Sequence, residues 1–184
     1  MNQLPVKPGL EEFRTLSQRG NVVPVYAQLA ADFETPVSAY RKIADQKGAF
    51  LLESAESTDA GGRYSFVGAA PRAVFKAYGK EIEWQVGNDV QFYSAETDVL
   101  AELEKLMAPY KPVTHGDAPP FYGGMVGYLG YDAVQQFEPT ITQVPEDDLG
   151  LPDAVFMLAD TMLVFDQKLR RMLVVSNALL DDFE

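Results

Sequence analysis

The sequence predicts an α+β fold in which two packed, mainly antiparallel β-sheets carry peripheral helices. Segments typical of strands outnumber helical ones, short turns of hairpin type join neighbouring strands, and regular strand–helix–strand alternation is absent. Several strands, such as LVF, LVV and FLL, are apolar on both faces, which favours sheets packed against each other or beneath helices. A chain of 184 residues is long enough for one large domain or two small ones.

Three segments have apolar residues at helical spacing, which predicts three helices. These residues are Leu10, Phe13 and Leu16, then Val37, Tyr40, Ile43 and Ala44, and finally Val99, Leu100, Leu103, Leu106 and Met107. Thr35-Pro36 suits the cap and first position of the second helix, and Thr97 or Asp98 suits the cap of the third. Gly20 and Gly48 are the predicted ends of the first and second helices.

The first predicted strands surround these helices. Asn21–Leu29 is rich in β-branched and aromatic residues, but Pro24 lacks a backbone donor, so we expect an edge or irregular strand. Ala49–Ser54 is apolar enough to be buried, and with Arg63–Gly68 it forms a candidate hairpin around the polar loop Ala55–Gly62.

Two tight turns, at Gly79-Lys80 and at Gly87–Asp89, join the short strands AVFKAY, EIEWQV and QFY into a predicted antiparallel meander. A last hairpin of long strands, AVFMLADTMLVFD and LRRMLVVSN, turns at Gln167-Lys168. The proline-rich stretch 109–120 and the acidic stretch 139–152 are predicted to be irregular.

The composition narrows the possible functions. The absence of Cys excludes disulfides, thiolate metal sites and Cys nucleophiles, and a single His excludes a His-cluster metal site. His115 is expected to be a solvated loop residue. The net charge of −12 argues against nucleic-acid binding. No apolar run approaches the ~20 residues that cross a bilayer, and the N-terminus lacks a signal-peptide pattern, so we expect a cytoplasmic protein without membrane contact.

Charge is distributed unevenly along the chain. Residues 1–80 carry 10 basic and 8 acidic side chains, whereas residues 81–184 carry 5 and 19. This asymmetry indicates either a solvated anionic surface or a surface that meets a basic partner.

The segment FYGGMVGYLGYD, from Phe121 to Asp132, is unusual because glycines alternate with aromatic residues. The glycines are Gly123, Gly124, Gly127 and Gly130. Glycine in a strand weakens it unless another group approaches the backbone closely, and no phosphate-loop pattern is present, so we interpret the glycines as architecture. Asp132 is expected to cap a short helix, AVQQFE, with Gln135 at its capping-box position and Pro139 at its end.

One polar pair at a strand end is a candidate ligand site. Glu53 can pair with an ammonium group and Ser54 can donate or accept a hydrogen bond, so beside an apolar wall they suit a zwitterionic amino acid. The alternative is that both residues simply meet water.

The ordered set NVVPVY, ADFETPVSAYRKI, FLLESAE, GRYSFVG, FYGGMVGYLGYD and PDAVFMLADTMLVFD resembles the N-terminal region of anthranilate synthase component I. The resemblance covers about Asn21 to Asn177, and it implies that residues 1–184 form the N-terminal region of that fold. Members of this family convert chorismate to anthranilate and pyruvate, with Mg²⁺ and with ammonia from a glutamine amidotransferase subunit, component II.

The resemblance also implies where the sites lie. It places Ser54 and Glu53 in the allosteric L-tryptophan pocket of the family, with Arg63 on its rim. It places the chorismate site, the catalytic residues and the metal ligands in the C-terminal part of the family's chain, so none is expected here and the chain alone is expected to be catalytically inactive.

Two other readings remain open. Aminodeoxychorismate synthase component I, or another chorismate-utilising relative, shares the fold, although LLES with GRYSF favours the tryptophan branch. A stand-alone amino-acid-binding regulatory module, or a purely structural interaction domain, would carry no catalysis.

Overall fold

A computed structural model of the protein describes residues 4–54, 62–116, 118–138, 140–141 and 149–180. The described residues form eleven strands, three α-helices and one 3-10 helix. They divide into two compact units, each with its own β-sheet. The first unit comprises Met1–Pro71, Tyr110–Gly124 and Ala159–Glu184, and the second comprises Arg72–Pro109 and Met125–Leu158. Two largely antiparallel sheets with few helices confirm the predicted α+β class.

The first unit contains a sheet of six strands in its described part, in the order β1-β2-β11-β10-β4-β3, with every neighbouring pair antiparallel. The strands are β1 (Val6–Lys7), β2 (Val22–Ala30), β3 (Phe50–Glu53), β4 (Tyr64–Gly68), β10 (Thr161–Asp166) and β11 (Arg171–Leu179). Helices α1 (Leu10–Leu16) and α2 (Pro36–Ile43) belong to this unit. Strand β1 was not predicted, because two residues are too few to show a strand pattern.

Helix α2 begins as predicted, since the Thr35 side chain accepts from the Ser38 N–H and Ser38 returns the bond in a capping box. Its apolar face differs from the prediction. Ala39 is buried and packs with Tyr40 and Ile43, whereas Val37 is 50% exposed. Ala44 is also exposed, as the C-cap, because the helix stops at Ile43.

Strand β2 is not an edge strand, but among the described residues its outer neighbour β1 pairs with no more of it than Tyr26 and Ala27. Pro24 lies opposite Asn177, whose N–H is donated to the Asp160 carbonyl on the other side. The missing donor of Pro24 therefore falls on the side of β2 that β1 leaves unpaired, which is why the sheet tolerates this proline. The Pro24 carbonyl accepts from Nε2 of His115 at 2.9 Å.

Two expectations near this strand are wrong. His115 is half-buried and its ring stacks on Tyr26 with centroids 5.7 Å apart, so it is not a solvated loop residue. Gly20 does not adopt a left-handed conformation, and α1 ends at the C-cap Ser17. A β-carbon on Gly20 would overlap the Lys111 carbonyl, so the glycine permits close packing of the 111–113 segment.

The β3–β4 hairpin forms as predicted, but β3 is not buried. It lies at the edge of the sheet, with Phe50 buried and Leu52 44% exposed. Its apolar sequence is typical of a strand inside a sheet, but within the described part of the chain β3 pairs with β4 alone. The loop expected after Ser54 lies, over 55–61, outside the described residues.

The second unit contains a sheet of five strands within its described residues, in the order β7-β6-β5-β9-β8. The strands are β5 (Ala73–Tyr78), β6 (Glu81–Val86), β7 (Asp89–Ser94), β8 (Gly124–Leu129) and β9 (Ala154–Ala159). The meander β5-β6-β7 is confirmed, with Gly79 and Gly87 in the left-handed conformation that its tight turns require.

Helix α3 (Val99–Met107) also belongs to the second unit and is confirmed. Its cap is Asp98, whose Oδ1 accepts from the N–H groups of Leu100 and Ala101, each at 2.9 Å. Glu102 on this helix is nearly buried and contacts Tyr93 of β7. Burial, with the charge and hydrogen bond of Glu102, raises the pKa of Tyr93 to about 12.

The predicted long strand over 154–166 is divided at Asp160. Its first part, β9, pairs with β5 in the five-stranded sheet, and its second part, β10, pairs with β4 and β11 in the six-stranded sheet. The hairpin β10–β11 is confirmed, with a turn that extends to Arg170.

The glycine-rich segment supports the architectural interpretation. A β-carbon on Gly127 would overlap the Val155 carbonyl, and one on Gly130 would lie 2.9 Å from the Asp153 carbonyl. The helix that follows is a 3-10 helix, Tyr131–Gln136, with Gly130 as N-cap, so the expected capping roles of Asp132 and Gln135 are wrong. Gln136 instead bridges elements, because its Oε1 accepts from the Val99 N–H at 2.9 Å. Pro139 lies outside the described residues.

Candidate functional site

The end of β3, the start of β4, the end of β10 and the start of β11 lie at one end of the six-stranded sheet. In the register of these strands, Glu53 lies opposite Ser65, and Asp166 lies opposite both Tyr64 and Arg171. This sheet end therefore brings the predicted ligand residues near a set of charged residues from sequence-distant strands.

Glu53 and Ser54 occupy the strand end that the sequence predicts. Glu53 is the last residue of β3, Ser54 follows it directly, and both are exposed. Successive side chains along an extended strand point to opposite faces of the sheet. The two residues thus share one strand end without sharing one face, and their roles stay predictions.

An apolar surface lies on the face that the strand alternation assigns to Ser54. We call it the aromatic wall, formed by Leu52, Tyr64, Phe66 and Phe121. Leu52 lies opposite Phe66 in the register, and the Phe66 ring meets the Phe121 ring edge-on at 5.4 Å between centroids. Tyr64 stacks beside Phe66 at 6.3 Å. The strand end thus combines a hydroxyl with aromatic surface.

Arg63, at the entrance to β4, is held by Asp166. Its Nε donates to Oδ1 at 2.9 Å and its Nη2 donates to Oδ2 at 2.7 Å, a bidentate ion pair. The guanidinium carbon also lies 4.7 Å from the centroid of the Tyr64 ring. The backbone adds a further link, since the Gln167 N–H donates to the Arg63 carbonyl at 2.9 Å. Arg63 is therefore fixed by its side chain and its backbone together.

Asp166 has further contacts beyond Arg63. The Leu169 N–H donates to its Oδ1 at 3.3 Å, and Nε of Arg171 lies 3.5 Å from its Oδ2. Arg171 Nη1 donates to Gln28 at 3.1 Å, while its Nε is buried with no hydrogen-bond partner among the described residues. One carboxylate thus faces two guanidinium groups, and the cluster carries an excess of one positive charge.

The environment of Asp166 favours its charged form. Hydrogen bonds from Arg63 lower the pKa of Asp166 most, and the Leu169 N–H and the two arginine charges lower it further, while burial acts in the opposite direction. The side chain of Asp166 is fully buried. We conclude that a buried, ionised carboxylate exists at neutral pH because its partners outweigh its desolvation.

A cavity of about 270 Å³ opens beside this cluster. Its walls combine charged and apolar side chains from the β2–α2 connection and from the β10–β11 turn. The lining residues are Ala31, Asp32, Glu34, Thr35, Pro36, Phe165, Asp166, Gln167, Arg170 and Arg171. Glu34 is itself paired with Lys42.

The strand end was predictable from the sequence, but Asp166 and Arg171 were not. The sequence signal for Asp166 was weak, because many apolar strands end in an acidic residue before a turn. Its partner Arg63 is also 103 residues away in the sequence. Arg63 binds Asp166, and its place on the rim of a tryptophan pocket stays a prediction. Among the described residues, no three His, Asp or Glu side chains are grouped in a way that holds a metal ion, and no helix is long and apolar enough to span a membrane.

The fold and these motifs define a class of protein. The family model described as chorismate binding enzyme matches residues 47–182, and the chain belongs to that family.

Within it, the chain is similar to anthranilate synthase component 1. It is 35% identical to that protein of Arthrobacter globiformis over 175 residues, which are 95% of this chain and 33% of the relative. It is 39% identical to that of Pseudomonas putida over 159 residues, 85% of this chain and 32% of the relative. The Saccharomyces cerevisiae protein is 35% identical over 185 residues, 95% of this chain and 34% of the relative.

A solved structure agrees with these relatives. Anthranilate synthase component I from Streptococcus pneumoniae TIGR4 matches with a TM-score of 0.53 and 27% identity, over 85% of this chain and 32% of that chain. The chain thus spans about a third of the length of the curated relatives it matches.

Proposed function

We propose that this chain is the tryptophan-sensing, N-terminal part of an anthranilate synthase component I. The whole enzyme would convert chorismate and ammonia to anthranilate and pyruvate, with ammonia supplied by a glutamine amidotransferase subunit. The observation that carries the proposal is the end of β3, where Glu53 pairs with Ser65 of the GRYSF strand and Ser54 follows directly, in a chain of this family. The three curated relatives described above all bear the name anthranilate synthase component 1, which favours the tryptophan branch over aminodeoxychorismate synthase.

The strand end offers the groups that tryptophan recognition needs. The Glu53 carboxylate can pair with the ammonium group of the amino acid, and the Ser54 hydroxyl can donate to its carboxylate. The aromatic wall offers rings beside which an indole can pack edge-on or offset. Because Glu53 and Ser54 lie on opposite faces, the ligand would bind around the end of β3 and not on one face of the sheet.

The proposal places the chemical step elsewhere. The chain spans about a third of the length of the relatives it matches. The magnesium ligands, the chorismate site and the catalytic residues would then belong to the remainder of the enzyme, and the 184-residue chain alone would be inactive.

Inhibition from this site needs only a preference for one of two enzyme conformations. A coupling free energy of about 1–3 kcal/mol between two sites changes affinity by roughly 5- to 150-fold. Contacts as few as a hydroxyl, a carboxylate and one aromatic surface are sufficient for that.

The test is tryptophan inhibition of the full-length enzyme. The substitution Ser54→Ala is expected to raise the tryptophan inhibition constant about tenfold or more, and so is Ser54→Leu, which introduces a larger side chain. Both variants are expected to keep most of the activity measured without tryptophan. Ser94→Ala, on exposed strand β7, is the matched control and is expected to leave inhibition as it is. Unchanged inhibition in both Ser54 variants would contradict the proposal.

A second candidate function comes from the family match itself. The matched range 47–182 lies within this chain, which favours a direct part in binding chorismate. Calorimetric titration of the 184-residue chain with chorismate tests it. Saturable binding would support this function, and its absence would favour a chorismate site in the remainder of the enzyme.

A further inference from the structure

The end of β3 is the least supported part of the proposed sensor. Among the described residues, β3 is an edge strand with β4 as its neighbour in the sheet, and Glu53 and Ser54 are exposed at its end. Exposed ends of edge strands are among the first parts of a protein to open locally. The geometry of this end therefore depends on how firmly β4 is held where it enters the sheet.

Asp166 holds that entrance. Its fully buried carboxylate accepts two hydrogen bonds from Arg63, the residue just before β4, and a third from the Leu169 N–H in the β10–β11 turn. The same carboxylate lies 3.5 Å from Nε of Arg171, the first residue of β11. A single side chain thus ties the hairpin to two further segments of the sheet.

The chemistry of this contact favours orientation over general stability. A buried ion pair returns little more than its desolvation cost, so replacing both partners together by well-packed apolar side chains is often neutral or stabilising. A bidentate pair, by contrast, fixes both the distance and the angle of the guanidinium plane. Arg63 is in turn seated against the Tyr64 ring, at 4.7 Å, and Tyr64 belongs to the aromatic wall.

We propose that Asp166 is a positioning residue for tryptophan inhibition: through Arg63 it sets the placement of the β3–β4 hairpin end and thereby the affinity for tryptophan. This inference rests on the proposed function. Asp166 does not itself touch the ligand, and Arg63 serves as an anchor of the hairpin.

The test separates inhibition from catalysis in the full-length enzyme. Asp166→Asn keeps the shape of the side chain but removes the charge that binds Arg63. We expect the tryptophan inhibition constant to rise about tenfold, while kcat without tryptophan and KM for chorismate change less than about twofold. Arg63→Lys keeps the charge but loses the bidentate geometry, and an intermediate rise is expected.

A second ion pair serves as the control. Lys76 and Glu83 pair at 2.8 Å on β5 and β6 of the second unit, so Glu83→Gln removes the charge of an ion pair that involves no residue of the β3–β4 hairpin. It is expected to leave the inhibition constant unchanged. If a buried Asn at 166 prevents folding, the partly exposed Arg63→Lys decides the question alone.

The outcomes distinguish this inference from the proposed function. If Ser54→Ala relieves inhibition but neither Asp166→Asn nor Arg63→Lys moves it, the positioning role is overturned and the sensor stands. If Ser54→Ala leaves inhibition unchanged, the sensor and the positioning role both fail. If Glu83→Gln moves inhibition as much as Asp166→Asn, the effect is one of general stability, and the positioning role is again overturned.

Discussion

Asp166 is a charged side chain that the fold excludes from water. A buried carboxylate is costly unless each oxygen is hydrogen-bonded, and here Oδ1 accepts from Arg63 and Leu169 while Oδ2 accepts from Arg63. Two of these three bonds come from a guanidinium that remains 39% exposed. Loss of Asp166 would therefore leave Arg63 free to turn to water.

Because Arg63 is partly exposed, Asp166→Asn is expected to lower the free energy of unfolding by about 2 kcal/mol at pH 7. This is typical for the loss of hydrogen bonds to charged groups and is smaller than the loss for a fully buried ion pair. The pKa of Asp166 is lowered in the folded state, so its contribution is present above the unfolded pKa of about 3.9 and is lost as pH falls through the lower folded value. Urea unfolding of both proteins between pH 7 and pH 3 measures this. A difference that stays constant down to pH 3 would contradict it.

Single residues of the site were predictable only where their chemistry is local. Glu53 and Ser54 follow one another after an apolar strand, so their position could be predicted from neighbouring residues. The contact between Arg63 and Asp166 spans 103 positions and depends on β4 and β10 being adjacent. A sequence with 27 acidic residues cannot indicate which of them meets a given arginine.

At the scale of elements, α3 shows how far a cap determines a helix. Asp98 Oδ1 accepts from two N–H groups of the first turn, Leu100 and Ala101, and Gln136 accepts from a third, Val99. These bonds satisfy backbone donors that an isolated helix leaves to water. The apolar face of the helix, through Val99 and Leu103, then packs in the core of the second unit.

Asp98→Ala is expected to lower the free energy of unfolding by about 1 kcal/mol, the usual cost of losing an N-cap acceptor. Thr97→Ala is the matched control, because Thr97 is the neighbouring residue of capping type and Asp98 is the one that accepts the bonds. Chemical denaturation followed by circular dichroism compares the three proteins. An equal loss in Thr97→Ala would contradict the assignment of the cap to Asp98.

Helices, turns and strands were predicted well where neighbouring residues determine them. They were predicted poorly where the result depends on which strands pair with each other. The turns at Gly79 and Gly87 demand a left-handed backbone, so the meander was readable from the sequence. The stretch 154–165 is apolar apart from Asp160 and Thr161, yet its halves pair with β5 and with β4 in different sheets. Asp160 marks the break because its carbonyl accepts from the Asn177 N–H of β11. That choice of partner is long-range and has no local signature.

The whole molecule is assembled from segments that are distant in sequence. Each compact unit combines at least two separate stretches of the chain, and the six-stranded sheet draws its strands from both termini of the described residues. Composition and patterning were sufficient to predict two antiparallel sheets. They were not sufficient to assign strands to sheets, because both sheets use the same apolar, β-branched sequences.

The affinity of the 184-residue chain for tryptophan depends on whether the ligand also needs contacts from the rest of the proposed enzyme. The chain spans about a third of its relatives, and an allosteric inhibitor acts through contacts that differ between two states of the complete protein. We therefore expect calorimetric titration of the 184-residue chain with tryptophan to give weak binding or none, while the full-length enzyme binds it measurably. The Ser54→Ala chain serves as the control, since any residual binding at the β3 end should weaken with it. Tight, Ser54-dependent binding by the chain alone would contradict the expectation and would favour a stand-alone amino-acid-binding module, because all contacts for the ligand would then be present in this chain.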